Sequence, residues 1–459
     1  MYKRKISIVK EKTQAMKKRK MIEEKLNKKY KNLKKNEKLE FIPIPSSYGY
    51  ATTLFRKKVR LCEIFFRFFT FELLMELIDR SKKEFKKDFF KNKGNDKFSE
   101  IKINLREIIY YLAARIYIHS KKPIKITNKK KRNIELLFLD FNNFLLEKKN
   151  EKIKIIPHKK LHFIHTHLYI KSGTHEEDAL FENIRDCLKN FGEVFIGDEK
   201  LFSFRGKSEF LRYCPSKPTE IGLWNYQAVV QLSTEKYLLI YSKLYRKNEE
   251  NNKPTDILKK WGEIILGKKN KSILFFDSYY MSEDSLNFLK KNNIRYIASG
   301  SKAKNKNLYD LLRKKVNNKN YSSLLYNRKE SEAVSLVRLN QNPLVEKITF
   351  SNSFRIQEKM LGDNDGQPPL FYEYKAFFNG CDLFNHDMAR RFFSNSSRSS
   401  HDGGDILANW NYLFTSVLQN IYNIYLDLNY KKRKNLSFCD FCEELAIDLI
   451  NYIVQNKES

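Results

Sequence analysis

Two stretches decide the reading: Val194-Phe195-Ile196-Gly197-Asp198 and Ile273-Leu274-Phe275-Phe276-Asp277. Each is a short apolar run that closes on an aspartate. Such a run, bounded by a turn signal, suits a strand buried on both faces, as in a parallel sheet. Between them, Leu223 to Leu232 and Tyr237 to Tyr245 read as two further strands joined by a polar turn, and Thr255 to Leu266 as a helix. Beyond the second stretch, Ser282 is the expected N-cap of a helix through Lys291. Ile294 to Ala298 then reads as another strand. The order β-β-β-α-β-α-β argues for a mixed α/β sheet.

The flanks read differently. Leu61 to Asp79, Leu105 to Ile118, Glu135 to Glu147 and Asp178 to Phe191 carry helical patterning. It returns from Asp382 to Phe393 and from Asn409 to about Leu428, with a Ser/Gly/Asp-rich loop expected over Ser394 to Gly404. Residues 301–378 are polar and irregular and read as an insertion, with strand content around Val334 to Leu339 and Lys347 to Phe350.

Composition narrows the function classes. Among 459 residues, 41% are hydrophobic and 14% aromatic, which excludes wholesale disorder. With 15 Gly and 10 Pro, the chain is neither collagen-like nor a low-complexity protein. Six cysteines make no disulfide framework, so a reducing compartment is expected. The most apolar segment, Leu61 to Ile78, carries Glu63, Arg67, Glu72 and Glu76, so no membrane partner is expected. The basic start of the chain has no apolar stretch of the kind a secretory signal needs.

The net charge of +34 favours a polyanionic partner, although a composition rich in Lys and Asn accounts for part of it. Residues 1–40 hold sixteen Lys/Arg against five Glu and read as a basic, disordered tail. Within it, Lys17-Lys18-Arg19-Lys20 has the form of a nuclear localisation signal.

Three aspartates stand where metal-dependent phosphoryl transfer needs them. Asp198 and Asp277 end strands, and Asp382 opens a helix after the insertion. Carboxylates on neighbouring strand ends and a facing helix can converge on two Mg²⁺ ions. One ion then activates a water or a 3′-hydroxyl, and the other stabilises the leaving oxygen. Spacing alone carries little weight in a chain with 54 acidic residues, so the local context matters.

That context resembles a family. Gly197-Asp198-Glu199-Lys200-Leu201-Phe202-Ser203-Phe204-Arg205-Gly206-Lys207 resembles the "DE(Q/K)…F(K/R)GR" segment of piggyBac-type transposases. Tyr213-Cys214-Pro215-Ser216-Lys217-Pro218 is similar to that family's "YxPxKP" element, and Gly222-Leu223-Trp224 to its "GxKxW" strand. Phe276-Asp277-Ser278-Tyr279-Tyr280-Met281-Ser282 resembles "DNFFTS", followed by a helix matched at Leu286, Leu289 and Ile294. Asn379-Gly380-Cys381-Asp382 resembles "GGVD". The motifs keep the family's order between about residues 55 and 430.

The resemblance implies an α/β RNase H-like catalytic core with a mixed sheet, flanked by a helical DNA-binding and dimerisation region and interrupted by an insertion. It implies Asp198, Asp277 and Asp382 as catalytic residues and ligands of Mg²⁺ or Mn²⁺, and cut-and-paste transposition of double-stranded DNA by a nuclear homodimer. In the family, a freed 3′-hydroxyl forms a hairpin and the excised element joins a TTAA target.

The expected organisation is a basic tail over 1–45, a helical DNA-binding and dimerisation region over 46–190, and the first part of the core over 191–300. The insertion follows over 301–378, then the last core helix and further DNA-binding helices over 379–430, and a short helical tail over 431–459. Lys200, Arg205, Lys207 and Lys217 flank Asp198 and are expected to hold DNA phosphates. Trp224, Tyr279 and Tyr280 suit core packing better than base stacking.

Some residues depart from the family. Asn385 stands where the family carries a second carboxylate, with Asp387 two residues later. The basic "RKxxRW" segment survives only as Arg398 and Trp410. These departures suit the alternative of a domesticated, transposase-derived DNA-binding protein that does not transpose. Cys439 and Cys442 are followed by no second ligand pair, so zinc is not expected. His158, His162 and His165 would share a helix face, close to His167 and His175. With no acidic partner before Glu176, they are expected to pack against aromatics rather than bind metal.

Overall fold

The computed structural model describes residues 21, 24, 37–41, 51–55, 58–91, 103–120, 134–148, 156, 158–190, 192–204, 206–215, 217, 219–233, 235–245, 253–267, 272–315, 322–327, 332–339, 345–358, 369–389, 404–429, 433 and 435–456. In chain order the first half contains β1 (Glu37–Phe41), β2 (Thr52–Thr53), α1 (Leu61–Phe68), α2 (Phe71–Lys91), α3 (Leu105–Ser120) and α4 (Ile134–Lys148). Next come α5 (His158–His167), α6 (His175–Asp186), β3 (Leu188–Asn190), β4 (Val194–Ser203), β5 (Leu211–Tyr213), β6 (Ile221–Ser233) and β7 (Lys236–Leu244). The second half runs α7 (Pro254–Gly267), β8 (Ile273–Phe276), α8 (Glu283–Lys291), β9 (Arg295–Gly300) and α9 (Lys306–Lys315). It continues with β10 (Ser322–Asn327), β11 (Glu332–Leu339), β12 (Val345–Ser351), β13 (Phe354–Glu358) and α10 (Pro369–Phe377). The last elements are α11 (Gly380–Ala389), α12 (Gly404–Leu428) and α13 (Phe438–Gln455).

The chain forms two compact units. The first comprises Met1–Ala51, Asn190–Asp198 and Glu249–Cys381. Its strands lie in the order β10-β11-β12-β9-β8-β4. The β4/β8 and β8/β9 pairs are parallel, and β12/β9, β11/β12 and β10/β11 are antiparallel. The sheet is therefore mixed. Its parallel centre consists of the apolar runs read from the sequence: Val194, Phe195, Ile196, Ile273 to Phe276 and Tyr296 to Ala298 are all buried. Strands covered on both faces need such uninterrupted runs. Ser282 caps α8 by accepting from the Ser285 amide, as expected. Asn293 ends that helix in the left-handed region (φ 54°), which Asn tolerates better than most residues.

The second unit comprises Thr52–Lys189, Glu199–Asn248 and Asp382–Ser459. The second half of β4 continues here beside β6, which pairs antiparallel with both β5 and β7. Gly222 is required by that proximity, since a Cβ there would stand 2.1 Å from the Phe202 carbonyl oxygen. Helix α12 packs on β6 and β7. Its buried Asn420 brackets Leu239, accepting from the backbone N–H at 2.8 Å and donating to the carbonyl at 2.7 Å. Asn423 donates to the Tyr237 carbonyl in the same way. Buried strand polar groups need such partners, and β7 has a register shift just there, between Ala228 and Val229 of β6.

Several sequence readings are corrected. The apolar segment Leu61 to Asp79 forms two helices, α1 and α2. The break falls at Phe69-Thr70, where the Thr70 hydroxyl accepts from the Leu73 amide as a new N-cap. The helix read over Asp178 to Phe191 ends at Asp186. Leu188–Asn190 instead pairs with β2, and the Leu54 amide binds the Cys187 carbonyl. A short extra strand, β5, enters the core order. The segment read as irregular carries α9, β10, β13 and α10 besides the two expected strands. Glu37–Phe41, at the end of the basic tail, pairs with β13.

Candidate active site

The parallel pairing of β4 and β8 has a constant offset. Val194 pairs with Ile273, Phe195 with Leu274 and Ile196 with Phe275, each 79 positions apart. Asp277 follows Asp198 by the same interval (277 − 198 = 79). Two further steps along the register bring the two aspartates to the same level: Asp277 just past the carboxyl end of β8, and Asp198 midway along β4, which runs on to Ser203 rather than ending at the aspartate as the sequence suggested. Adjacent strands are about 4.8 Å apart. The carboxyl end of a parallel sheet is where α/β proteins place ligands.

Each aspartate is fixed differently. On β4, Gly197 admits the ring of the fully buried Trp261 from α7, for a Cβ would lie 2.2 Å from two of its ring carbons. Asp198, the next residue, is 9% exposed. On β8, Asp277 is half-buried just beyond the last strand residue. Its Oδ1 accepts from the Tyr279 amide, an Asx turn. Tyr280 is buried, with its ring centroid 4.7 Å from that of Trp261.

Asp382 is an exposed first-turn residue of α11, where an acidic side chain complements the helix dipole. It belongs to the second unit. Cys381 before it is in the first unit, and its thiol donates to the Ile196 carbonyl of β4 at 3.5 Å. Asn385 on the same helix is buried, and its Oδ1 has no hydrogen-bond partner among the described residues.

The donor set suits a hard cation. Mg²⁺ takes oxygen ligands, commonly one or two carboxylates plus waters and substrate phosphate. A level pair of aspartates on adjacent parallel strands supplies that minimum. Among the described residues, no group of three or more His, Cys, Asp or Glu side chains stands together as a metal site.

The basic residues near Asp198 separate. Lys217 donates to Glu199 at 3.1 Å and lies 5.7 Å from the centroid of the Trp224 ring. Lys207 is exposed and Lys200 half-buried. Arg205 lies outside the described residues, as do Lys17, Lys18, Arg19, Lys20 and Arg398. Trp224 and Tyr280 are buried, whereas Tyr279 is 38% exposed. On α5, His165 Nδ1 is 3.0 Å from the Tyr111 hydroxyl and His167 stacks on Phe163. The side chains of His158 and His162 are outside the described residues. Cys439 and Cys442 lie on α13, the second in its packed face.

Sequence reasoning missed Trp261, the residue that shapes β4 beside Asp198. Its only signal was the apolar face of α7. It also missed the tie from Lys217 to Glu199, two residues it had read separately.

The fold is RNase H-like. The chain is similar to a piggyBac transposase solved as a synaptic complex with hairpin DNA, with a TM-score of 0.61 and 15% identity, covering 89% of this chain and 84% of that one. A search of curated proteins found no match. Residues 182–420, just over half the chain and including all three aspartates, match the family model described as Transposase IS4. The chain belongs to the IS4 transposase family. No described helix is long and apolar enough to cross a membrane.

Proposed function

We propose that the protein is a metal-dependent DNA transposase that cuts and rejoins double-stranded DNA with Asp198, Asp277 and Asp382. The observation that carries this reading is the parallel register of β4 and β8, which, continued two steps past Ile196 and Phe275, would set Asp198 and Asp277 level. Family membership supports it, as does the similar fold of a transposase solved with hairpin DNA.

The three aspartates would hold Mg²⁺ or Mn²⁺, which when bound supplies charge stabilisation and a more acidic attacking hydroxyl. The buried carboxylate of Asp198 is pre-positioned by the rigid β4, so it loses little freedom on binding a cation. Asp277 is held by its Asx turn, which ties one carboxylate oxygen to the Tyr279 amide. Lys200, Arg205 and Lys207 would bind backbone phosphates beside these carboxylates. Lys217, paired with Glu199, is the least suited of the four. The basic cluster Lys17 to Lys20 suits nuclear import, and pairing two DNA ends calls for a homodimer.

A second reading, a DNA-binding relative that no longer cleaves, is favoured by the neutral Asn385 and by the lack of a three-carboxylate group among the described residues. One experiment separates the two. The full chain is incubated with Mn²⁺ or Mg²⁺ and duplexes from both flanks of its own gene, with Asp277→Ala and Asp198→Ala as controls. Site-specific nicks and hairpins that require metal and both aspartates are expected. Cutting by Asp277→Ala at the wild-type rate would overturn the assignment. Tight binding with no cutting would establish the second reading.

A further inference from the structure

The parallel ladder between β8 and β9 ends at the pair Phe276 and Ala298. One level further, Asp277 and Ser299 are the next residues on the two strands. There a side chain takes over from the backbone: the Ser278 amide donates to Ser299 Oγ at 3.0 Å. Ser299 is itself placed by the other neighbour of β9, since it pairs with Thr349 of β12. All of these residues belong to the first unit.

The loop that carries Asp277 is thus held at several points. Tyr280 anchors its far end in the core, and the Ser285 hydroxyl donates to the Tyr280 carbonyl at 3.0 Å. The Tyr279 amide holds the Asp277 carboxylate itself. Between them, the Ser299 hydroxyl fixes the peptide plane that joins Asp277 to Ser278. Rotation of that plane would carry the Tyr279 amide away from Oδ1 and re-aim the carboxylate. On the other side of the same plane the Asp277 carbonyl accepts a longer bond from the Tyr280 amide, at 3.3 Å, and Lys304 Nζ approaches the Ser278 carbonyl, at 3.4 Å.

We propose that Ser299 is a positioning residue for Asp277, setting the direction of its carboxylate and so its affinity for a divalent cation. This rests on the reading of Asp277 as a metal ligand. The requirement is for a short side chain with an acceptor oxygen. Thr meets it, and Ala does not. Loss of a group that orients a metal ligand typically weakens metal binding about tenfold or more.

The test uses the full chain and Mn²⁺ alone, with free Mn²⁺ measured by electron paramagnetic resonance. Wild type, Ser299→Ala, Ser299→Thr and Asp277→Asn are compared. Ser299→Ala is expected to weaken Mn²⁺ binding about tenfold, and Ser299→Thr to restore it to within about twofold of wild type. Hydrogen exchange of a peptide spanning 274–281 is expected to quicken in Ser299→Ala alone. Mn²⁺ affinity in Ser299→Ala equal to wild type, with Asp277→Asn impaired, would overturn this proposal and leave the metal reading standing. Failure of Ser299→Thr alongside Ser299→Ala would likewise overturn it, because the role would then be packing. If Asp277→Asn binds Mn²⁺ as wild type does, the metal reading fails first. Should Ser299→Ala not fold, Ser299→Cys, a poorer acceptor of similar size, takes its place and is expected to weaken binding to an intermediate degree.

Discussion

Lys217 gives its ammonium to Glu199, the residue that follows Asp198, at 3.1 Å, although its motif position suggests a phosphate ligand. The Glu199 side chain is only 10% exposed, so the ammonium meets a carboxylate with little access to water. Trp224 lies under the same ammonium and also under Arg212, whose guanidinium is 5.0 Å from the indole and 3.7 Å from the Tyr245 ring. Lys217 therefore serves the second half of β4 before it serves a ligand.

Lys217→Met and Lys207→Met are expected to differ. Removing a phosphate contact lowers the slope of log affinity against log salt by about one. That change is expected for Lys207→Met in DNA-binding titrations, and little or none for Lys217→Met. In urea unfolding, a double-mutant cycle of Lys217→Met and Glu199→Gln should give a coupling of about 1 kcal/mol, the upper end for exposed pairs, because the Glu199 side of the pair is largely buried.

Gly197 is set by Trp261. A methyl group at 197 would meet the indole at 2.2 Å, and the ring is wholly enclosed. Gly197→Ala is expected to cost about 1–3 kcal/mol, as overpacked cores do. Trp261→Leu opens the space, so the double variant should be more stable than the summed single losses predict. Urea midpoints of the four proteins check this.

The two core strands were legible because Asp198 and Asp277 each close an apolar run, and apolar runs of that length have few other uses. The end of β8 was read correctly, but β4 runs on past Asp198 to Ser203 because its second half pairs beside β6. The common level of the two aspartates was present only as the number 79, which means nothing until β4 and β8 are known to be neighbours. The break between α1 and α2 was hidden because Phe68, Phe69 and Phe71 are apolar on both sides of Thr70, and periodicity carries no hydroxyl. Strands β10 and β13 were missed because Ser, Asn and Gln dilute their alternation. Their partners select them instead: β11, the next strand in the chain, for β10, and β1, far along the chain, for β13. Trp261 opposite Gly197 and Ser299 beside Ser278 are contacts between strands and helices, so no local pattern announces them.

Cys62, at the start of α1, makes stability depend on alkaline pH. Burial, then the hydrogen bond and charge of Asp448, push its thiol up from 9.0 to about 12. Above about pH 9 the unfolded chain loses this proton while the folded chain keeps it, so stability falls as pH rises toward 12. Cys62→Ala removes this dependence. The difference in unfolding free energy between wild type and Cys62→Ala is therefore expected to shift against wild type between pH 8 and pH 10.5, by at most about 1.4 kcal/mol per pH unit. Urea unfolding across that range measures it.

Glu346 on β12 gathers the segment after β9. Its carboxylate accepts from the Tyr309 hydroxyl and from Arg338 at 3.2 Å, with Lys302 at 3.5 Å and Arg313 at 3.9 Å. Burial works against its ionisation, but the hydrogen bonds from Tyr309 and Arg338 and the charges of Lys302 and Arg313 outweigh it and hold the group below its ordinary 4.5. A carboxyl lowered in this way contributes stability above its unfolded value, and the contribution is lost as pH falls through the folded one. Glu346→Gln should therefore destabilise the chain by about 2 kcal/mol at pH 7, since hydrogen bonds to charged groups are each worth about 1.5–3 kcal/mol. Glu346→Ala should cost more, because it leaves three cations facing one another without their shared acceptor. Urea midpoints at pH 7, 5 and 3.5 should show the gap between wild type and Glu346→Gln closing as the medium becomes acidic. A gap that stays constant would mean that Glu346 contributes by shape alone.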